Sequence, residues 1–237
     1  MEKWYTKNPK GTLVGGATDV GLWVTKNLRD LKEICFIGQI EEMSKINISR
    51  NVLNVGASTT IEVLRQELQK KYPDFSELLR RYGSMQVRNA ATLGGNIANG
   101  SPIGDSPPAL IAIGASILLN RNGKRRKIPI EDFFIKCDQQ DLHPGEFIEL
   151  IEIPLSEKNL KCYKISKRFD QDISAICGCF NITLEKNKVK TARIAFGGMA
   201  EIPKRATSVE NFLLGSTWSE ETISSAMALF DKDFNPI

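Results

Sequence analysis

The sequence predicts an α+β fold, because strand-like and helix-like segments follow one another without the regular alternation of a doubly wound parallel sheet. Short apolar runs typical of strands occupy residues 13–16, 34–37 and 52–55. Two helical patterns come next, at residues 59–71 and 73–82, and then a hairpin, further strands and a last helix. This mixed order is typical of an α+β fold.

The first helix is predicted by its start signal and its apolar face. Thr59 and Glu62 match a capping box, and Ile61, Leu64 and Leu68 share one face. The sequence therefore predicts an amphipathic helix over residues 59–71.

The second helix begins after Pro73, where Phe75, Leu78, Leu79 and Tyr82 recur at helical spacing. On this pattern alone, Tyr82 is interpreted as a core residue of that helix.

The second half of the chain carries strand patterns. Asn122-Gly123 is a strong two-residue hairpin signal between residues 116–120 and 127–129. The basic run at residues 124–127 is interpreted as a charged strand edge, the alternative being a nucleic-acid or membrane patch. The apolar patterns predict further strands at residues 147–153, 175–185 and 189–196. Thr217 and Glu220 are expected to cap a last helix over residues 219–230.

Composition excludes several classes of protein. The 237 residues are 41% hydrophobic with a net charge of +4 and interspersed signs, which is not a nucleic-acid footprint. No apolar run reaches the length of a membrane span. The five cysteines lack zinc or cluster spacing and are expected to be free thiols in a reducing cytoplasm. With one histidine, a protein metal site and the Ser-His and Cys-His nucleophile pairs are disfavoured.

Two glycine-rich segments are candidates for phosphate binding. Residues 13–21 read LVGGATDVG, and residues 92–105 read TLGGNIANGSPIGD. Glycine loops can present consecutive backbone N–H groups to a phosphate without steric hindrance. The first segment matches neither the Rossmann fingerprint nor a P-loop. Each alone could be a tight turn, but two such segments with Thr, Asn and Asp side chains favour a bound dinucleotide.

Four segments resemble the FAD-binding domain of the molybdenum hydroxylases, most closely the flavin portion of the bacterial xanthine dehydrogenases. In chain order they read LVGGATDVG, RRYGSMQVRNAATLGGNIANGSPIGDSPPAL, FIELIEIP and YKISKRFDQDIS. The remainder, with IAFGGMAEIPKRA, resembles the small domain that follows the flavin domain in the same proteins.

The resemblance implies a two-lobed FAD-binding domain of the vanillyl-alcohol-oxidase-like type over residues 1–156, with lobes of about 1–52 and 53–156. A small α+β C-terminal domain would occupy residues 157–237, and we expect it to be truncated, because the chain stops just after a predicted helix. A rise in polarity near residues 154–159 agrees with this division.

Carried over residue by residue, the resemblance implies fifteen cofactor-binding positions. The first segment would wrap the FAD pyrophosphate through its backbone amides, and Thr18 and Asp19 would add side-chain contacts. Its members are Leu13, Val14, Gly15, Gly16, Ala17, Thr18, Asp19 and Val20. Thr92, Gly95 and Asn96 would form a second phosphate and ribityl wall. Asp105 would bond a polar group of the cofactor, and Ile148 would pack beside the flavin.

Two further positions have competing interpretations. Tyr82 would stack on the flavin ring, although its helical spacing also suits an ordinary core residue. Lys164 would lie close to the isoalloxazine edge and stabilise an anionic reduced flavin, although a lysine on a strand can also extend into solvent.

The function implied is electron transfer: FAD would collect electrons from iron–sulfur clusters and pass hydride to NAD, or electrons to dioxygen. The iron–sulfur domain and the molybdopterin-binding subunit would be partners, so this chain is not expected to oxidise xanthine alone. Three alternatives stay open. They are the flavin subunit of a related hydroxylase (carbon monoxide, nicotinate or aldehyde oxidation), a nicotinamide-binding dehydrogenase, and a non-enzymatic interaction domain.

Overall fold

The computed structural model describes residues 1–137, 139–155 and 159–234. Within them the chain forms a parallel strand pair near the N-terminus, a central antiparallel sheet and a C-terminal antiparallel sheet, with helices packed around and between. The α+β fold predicted from the sequence is confirmed.

The helices of the described residues are α1 (Glu2–Lys7), α2 (Val20–Thr25), α3 (Ile61–Leu68), α4 (Pro73–Arg80), α5 (Met85–Ala90), α6 (Leu93–Ala98), α7 (Ser106–Ile113), α8 (Thr207–Leu213), α9 (Glu220–Met227) and α10 (Phe230–Asp233). The strands are β1 (Thr12–Val14), β2 (Ile34–Phe36), β3 (Ile46–Ser49), β4 (Val52–Gly56), β5 (Ser116–Arg121), β6 (Lys124–Pro129), β7 (Phe134–Lys136), β8 (Gln139–Gln140), β9 (Phe147–Pro154), β10 (Leu160–Ile165), β11 (Ile176–Glu185), β12 (Lys188–Gly197) and β13 (Lys204–Arg205).

The N-terminal strand pair positions the first glycine segment. β1 and β2 are parallel, with Val14 opposite Phe36, and the Ile37 amide donates to the Val14 carbonyl at 2.8 Å. The chain then leaves the sheet and reaches the left-handed region at Ala17, where φ is +58°. The glycine segment therefore lies at the carboxyl end of a parallel strand, where cofactors commonly bind.

The central sheet has the order β3-β4-β9-β5-β6. The predicted turn between β5 and β6 is confirmed: Asn122 and Gly123 have φ of +50° and +81°, as a type I′ turn requires. The basic run on β6 lies on the sheet edge as expected, and its arginine Arg125 pairs with Glu149 of β9 at 2.7 Å.

Helix α7 joins the central and C-terminal sheets. All eight of its residues are buried, which is typical of a helix that is apolar all round. The C-terminal sheet, of order β10-β11-β12-β13, packs on it through Cys177, Cys179 and Ala195. Arg193 of β12 donates to the carbonyl of Ile111 at 2.8 Å, near the end of α7. Such a cation satisfies carbonyls that a helix leaves unpaired.

Several helix boundaries differ from those expected. The N-cap of α3 lies one residue later than predicted, because Thr60, not Thr59, accepts from the Val63 amide, and the helix spans Ile61–Leu68 rather than residues 59–71. Glu62 is not part of a capping box, because it bonds Arg65 and Arg88 instead. The buried stripe of α3 is as predicted.

The other differences arise at chain ends and in the glycine-rich segment. α4 ends at Arg80, so Tyr82 lies in the turn beyond it rather than on its core stripe. Ser219, not Thr217, caps α9, which ends at Met227 before the short α10. α1, α5 and α6 were not predicted, because they have six residues each and too few apolar positions for a periodic pattern.

Candidate cofactor site

A cavity of about 660 Å³ opens between the two glycine segments, within the range of roughly 300–1,000 Å³ usual for ligand sites. Its wall includes residues 15–20 from the first segment and Thr92, Gly94, Gly95 and Asn96 from the second. The two segments, some 75 positions apart in the sequence, are therefore neighbours in space, as the sequence led us to expect.

The first segment presents free backbone donors to this cavity. In the described part of the chain, the amides of residues 15–18 have no hydrogen-bond acceptor. Ala17 lies among them with a left-handed φ of +58°, and a left-handed residue is one feature of anion-binding nests. Residues 17–19 are exposed. Unpaired amides lining a cavity call for an acceptor from a ligand or from solvent.

The glycines of the first segment permit close packing against the second. A Cβ added to Gly16 would lie 1.7 Å from the carbonyl oxygen of Ala90, and one added to Gly15 would lie 2.6 Å from Thr92 Oγ1. Both distances are far below van der Waals contact. These glycines therefore set the spacing between the two walls of the cavity.

The second segment differs from the expectation of a loop with free amides. Thr92 caps α6, and its hydroxyl accepts from the Gly95 amide at 3.2 Å. The Gly94 amide donates to Ala57 at 2.8 Å and the Asn96 amide to the Thr92 carbonyl at 3.0 Å. Because these donors are already bonded, this wall offers side chains and close approach rather than main-chain hydrogens.

Tyr82 is oriented by a chain of side-chain hydrogen bonds. Its ring lines the cavity, and Asn96 Nδ2 donates to its hydroxyl oxygen at 3.2 Å. Ser106 Oγ at the start of α7 donates in turn to Asn96 Oδ1. Burial, reinforced by the negative charge of Asp105, raises the pKa of Tyr82 to about 12. The ring is thus a neutral wall of fixed orientation at physiological pH.

This raised pKa predicts how stability depends on alkaline pH. The folded pKa, about 12, lies above the ordinary value of 10.0, so the contribution of Tyr82 is complete below pH 10 and is lost between pH 10 and 12. A shift of one pKa unit corresponds to about 1.4 kcal/mol. Between pH 10 and 12 the wild type should therefore lose roughly 2–3 kcal/mol more of its free energy of unfolding than Tyr82→Phe does. Urea unfolding at pH 9, 10, 11 and 12 measures the difference, and parallel curves for the two proteins would contradict it.

Asp105 and Lys164 form a buried ion pair behind Tyr82. Lys164 Nζ lies 2.7 Å from Asp105 Oδ2, and the side chains are 3% and 7% exposed respectively. Ser174 also donates to Asp105. Lys164 donates further to the carbonyl of Arg81 at 3.3 Å, and the Arg81 guanidinium donates to the Lys164 carbonyl at 2.9 Å. The pair therefore joins β10 to the turn that carries Tyr82.

The structure brings most of the predicted site residues to one cavity. The members of its wall are Leu13, Gly15, Gly16, Ala17, Thr18, Asp19, Val20, Tyr82, Thr92, Gly95, Asn96 and Ile148. Three others lie outside the wall: Val14 is buried in β1, and Asp105 and Lys164 bond each other. Their predicted contacts with a cofactor stay predictions.

Other wall residues were not predicted from the sequence. Among them are the aromatic and apolar side chains of Tyr5, Trp23, Leu142 and Phe147. Tyr5 belongs to α1, and its ring lies 6.5 Å from that of Phe147 at the start of β9. No local motif marks these residues, because they reach the cavity through tertiary packing.

The described residues contain no group of three or more His, Cys, Asp or Glu side chains that could hold a metal ion. In the same residues, no helix has the length and apolar character needed to cross a bilayer.

Comparison with known families decides the assignment. Residues 1–156 match the family described as the FAD binding domain in molybdopterin dehydrogenase. The chain belongs to this family. Residues 161–237 match a second family, the CO dehydrogenase flavoprotein C-terminal domain. The resemblance seen in the sequence is thereby confirmed.

Individual relatives agree with the family. Xanthine dehydrogenase 1 of Arabidopsis thaliana is 29% identical over 243 residues, which cover 95% of this chain and 18% of that protein. The glyceraldehyde dehydrogenase medium chain of Sulfolobus acidocaldarius is 29% identical over 202 residues, covering 84% of this chain and 72% of that one. This flavoprotein-family chain thus spans less than a fifth of the xanthine dehydrogenases it matches.

The fold is shared with a solved carbon monoxide dehydrogenase of Hydrogenophaga pseudoflava, in a form that lacks the Mo-pyranopterin moiety of its molybdenum cofactor. The TM-score is 0.92 at 22% identity, with 100% of this chain and 85% of the other covered. At this identity the likeness establishes the fold of the FAD-binding family member rather than its substrate.

Proposed function

We propose that this chain binds FAD in the cavity and serves as the electron-transfer component of a xanthine dehydrogenase-like molybdenum hydroxylase. One observation carries the proposal: the amides of residues 15–18 have no acceptor among the described residues, and these four residues line a cavity of cofactor size. A pyrophosphate is the anion that such a nest accommodates. The residues present therefore fit the cofactor that names the family.

The chain's own residues would divide the work of binding. The amides of residues 15–18 would bond the pyrophosphate, and the Thr18 hydroxyl would add a donor. Asp19, being negative, would accept from sugar or ribityl hydroxyls rather than approach a phosphate. Tyr82 and Ile148 would flank the planar ring, because an aromatic and a branched aliphatic face suit a flat heterocycle.

The buried pair behind the site would act on the position of the ring. Lys164 and Asp105 would hold the turn at Arg81, and with it Tyr82, in place. Because the two charges are opposite, the pair adds no net charge beside the ring. Bound FAD supplies a centre that can take electrons singly and release them in pairs, so the protein needs no nucleophile or metal of its own.

We infer that the electron donor is an iron–sulfur domain and the substrate-oxidising unit a molybdopterin-binding subunit, both outside this chain, and that NAD is the acceptor. The names of the relatives support a hydroxylase but differ in substrate. They include xanthine dehydrogenases, a nicotinate hydroxylase of Emericella nidulans and the glyceraldehyde dehydrogenase chain. A flavin subunit of a related hydroxylase is the second candidate, favoured by the match of residues 161–237 to the CO dehydrogenase flavoprotein C-terminal domain.

The purified chain should carry or take up flavin. We expect an absorption band at about 450 nm after incubation with FAD, and release of intact FAD on denaturation. Anaerobic addition of NADH should bleach that band if NAD is the acceptor. If the protein retains FAD and NADH does not bleach the band, NAD is not the acceptor, although the chain still binds FAD. If the protein retains no FAD, the flavoprotein proposal is wrong.

A further inference from the structure

Three of the five cysteines meet on the inner face of the C-terminal sheet. β10 and β11 are antiparallel, and their register places Cys162 directly opposite Cys179. Both are free thiols, and Cys179 Sγ donates a weak hydrogen bond to Cys162 Sγ at 3.6 Å. Cys177 lies two residues before Cys179 on the same face, with its sulfur 3.9 Å from the Asp105 carbonyl oxygen.

The two opposed thiols differ in access. Cys179 is fully buried, and burial raises the pKa of its thiol well above the usual range. Cys162 is partly exposed. An oxidant from solvent therefore reaches Cys162 first, and Cys179 is the adjacent thiol.

We propose that Cys162 and Cys179 form a redox-active dithiol that closes to a cross-strand disulfide when the protein meets a peroxide. Peroxide oxidises the Cys162 sulfur to a sulfenic acid and leaves as one water. The Cys179 sulfur then attacks the sulfenic sulfur, the S–S bond forms, and a second water departs with the Cys179 proton. Two thiols and one hydrogen peroxide thus give one disulfide and two waters, and a dithiol reductant reverses the change.

The strand register suits a bond between Cys162 and Cys179, which face each other directly. Directly opposed residues of an antiparallel pair have Cα atoms about 4.5–5.5 Å apart, inside the range of about 4.4–6.8 Å seen for disulfides. Cys177 and Cys179, two positions apart on one strand, are separated by about 6.6 Å with parallel side chains. The two sulfur atoms, 3.6 Å apart, must approach by about 1.6 Å to reach the S–S bond length of about 2.05 Å.

The disulfide would enclose the segment that supports the cofactor site. Residues 163–178 include Lys164 and Ser174, which both bond Asp105. Closing this loop restricts the unfolded chain, so the oxidised protein should melt at a higher temperature than the reduced one, by roughly 5 °C or more.

The test uses the full chain with Cys35 and Cys137 replaced by serine, because these two thiols lie in other elements and would react independently. This background holds three thiols. Stoichiometric hydrogen peroxide should leave one, with a mass loss of about 2 Da that dithiothreitol reverses. Peptide mapping should find the segment with residue 162 linked to the segment with residue 179.

Two variants in this background make the pairing specific. Cys177→Ala should still form the bond, whereas Cys162→Ser should retain both of its thiols after the same treatment. A link through Cys177, intermolecular dimers, or oxidation of Cys162 to a sulfinic acid without a disulfide would each overturn the proposal. An unchanged thiol count in the background protein would also overturn it.

Discussion

Gly16→Ala is expected to abolish FAD binding and to lower the free energy of unfolding by about 3 kcal/mol or more. The added methyl carbon would lie 1.7 Å from the carbonyl oxygen of Ala90, which is backbone and cannot rotate away. The two walls of the cavity must then separate, and the amides of residues 15–18 move with the first wall. Chemical denaturation measures the loss of stability, and flavin absorbance of the dialysed protein measures binding.

Gly21→Ala is the matched control on the same segment. A Cβ at Gly21 meets no atom within 4 Å, and the residue lies in α2, where alanine is the better helix former. Flavin content and stability should therefore stay at the wild-type level or rise slightly. Equal behaviour of the two variants would show that close packing at Gly16 is not what shapes the cavity.

Lys164→Met is expected to destabilise the protein by about 3–5 kcal/mol, because it leaves the carboxylate of Asp105 buried without its counterion. The double variant Lys164→Met/Asp105→Asn removes both charges and should recover more than half of that loss. Urea unfolding of the two single variants and the double variant gives the coupling free energy of the pair.

Lys161→Met provides the control on the same strand. Lys161 pairs with Asp74 at 3.0 Å, but its side chain is 61% exposed. Exposed pairs contribute little to stability, so this substitution should be close to neutral. A loss as small for Lys164→Met as for Lys161→Met would mean that the buried pair does not support the turn at Arg81.

The sequence predicted those parts of the fold that depend on local patterns. The Asn122-Gly123 hairpin was predictable because only a few residue pairs suit two consecutive left-handed positions. The buried stripe of α3 was predictable because Ile61, Leu64 and Leu68 recur at helical spacing. The convergence of the two glycine segments was inferred from resemblance and is realised in one cavity.

Other features depend on tertiary contacts that no local pattern reveals. The Gly95 amide is hydrogen-bonded because Thr92 caps α6, so the segment that looked like a loop in the sequence is the start of a helix. The pairing of Lys164 with Asp105 joins positions 59 residues apart. The place of Tyr5 in the wall depends on the packing of α1 against β9.

Backbone amide exchange of ¹⁵N-labelled protein, measured by NMR with and without FAD, tests the central claim most directly. Without FAD, the amides of residues 15–18 should exchange fast, because they have no acceptor in the described part of the chain, and those of residues 94–96 slowly. Saturating FAD should slow residues 15–18 by at least tenfold while residues 94–96 change little. FAD that binds tightly and leaves the exchange of residues 15–18 unchanged would contradict the account.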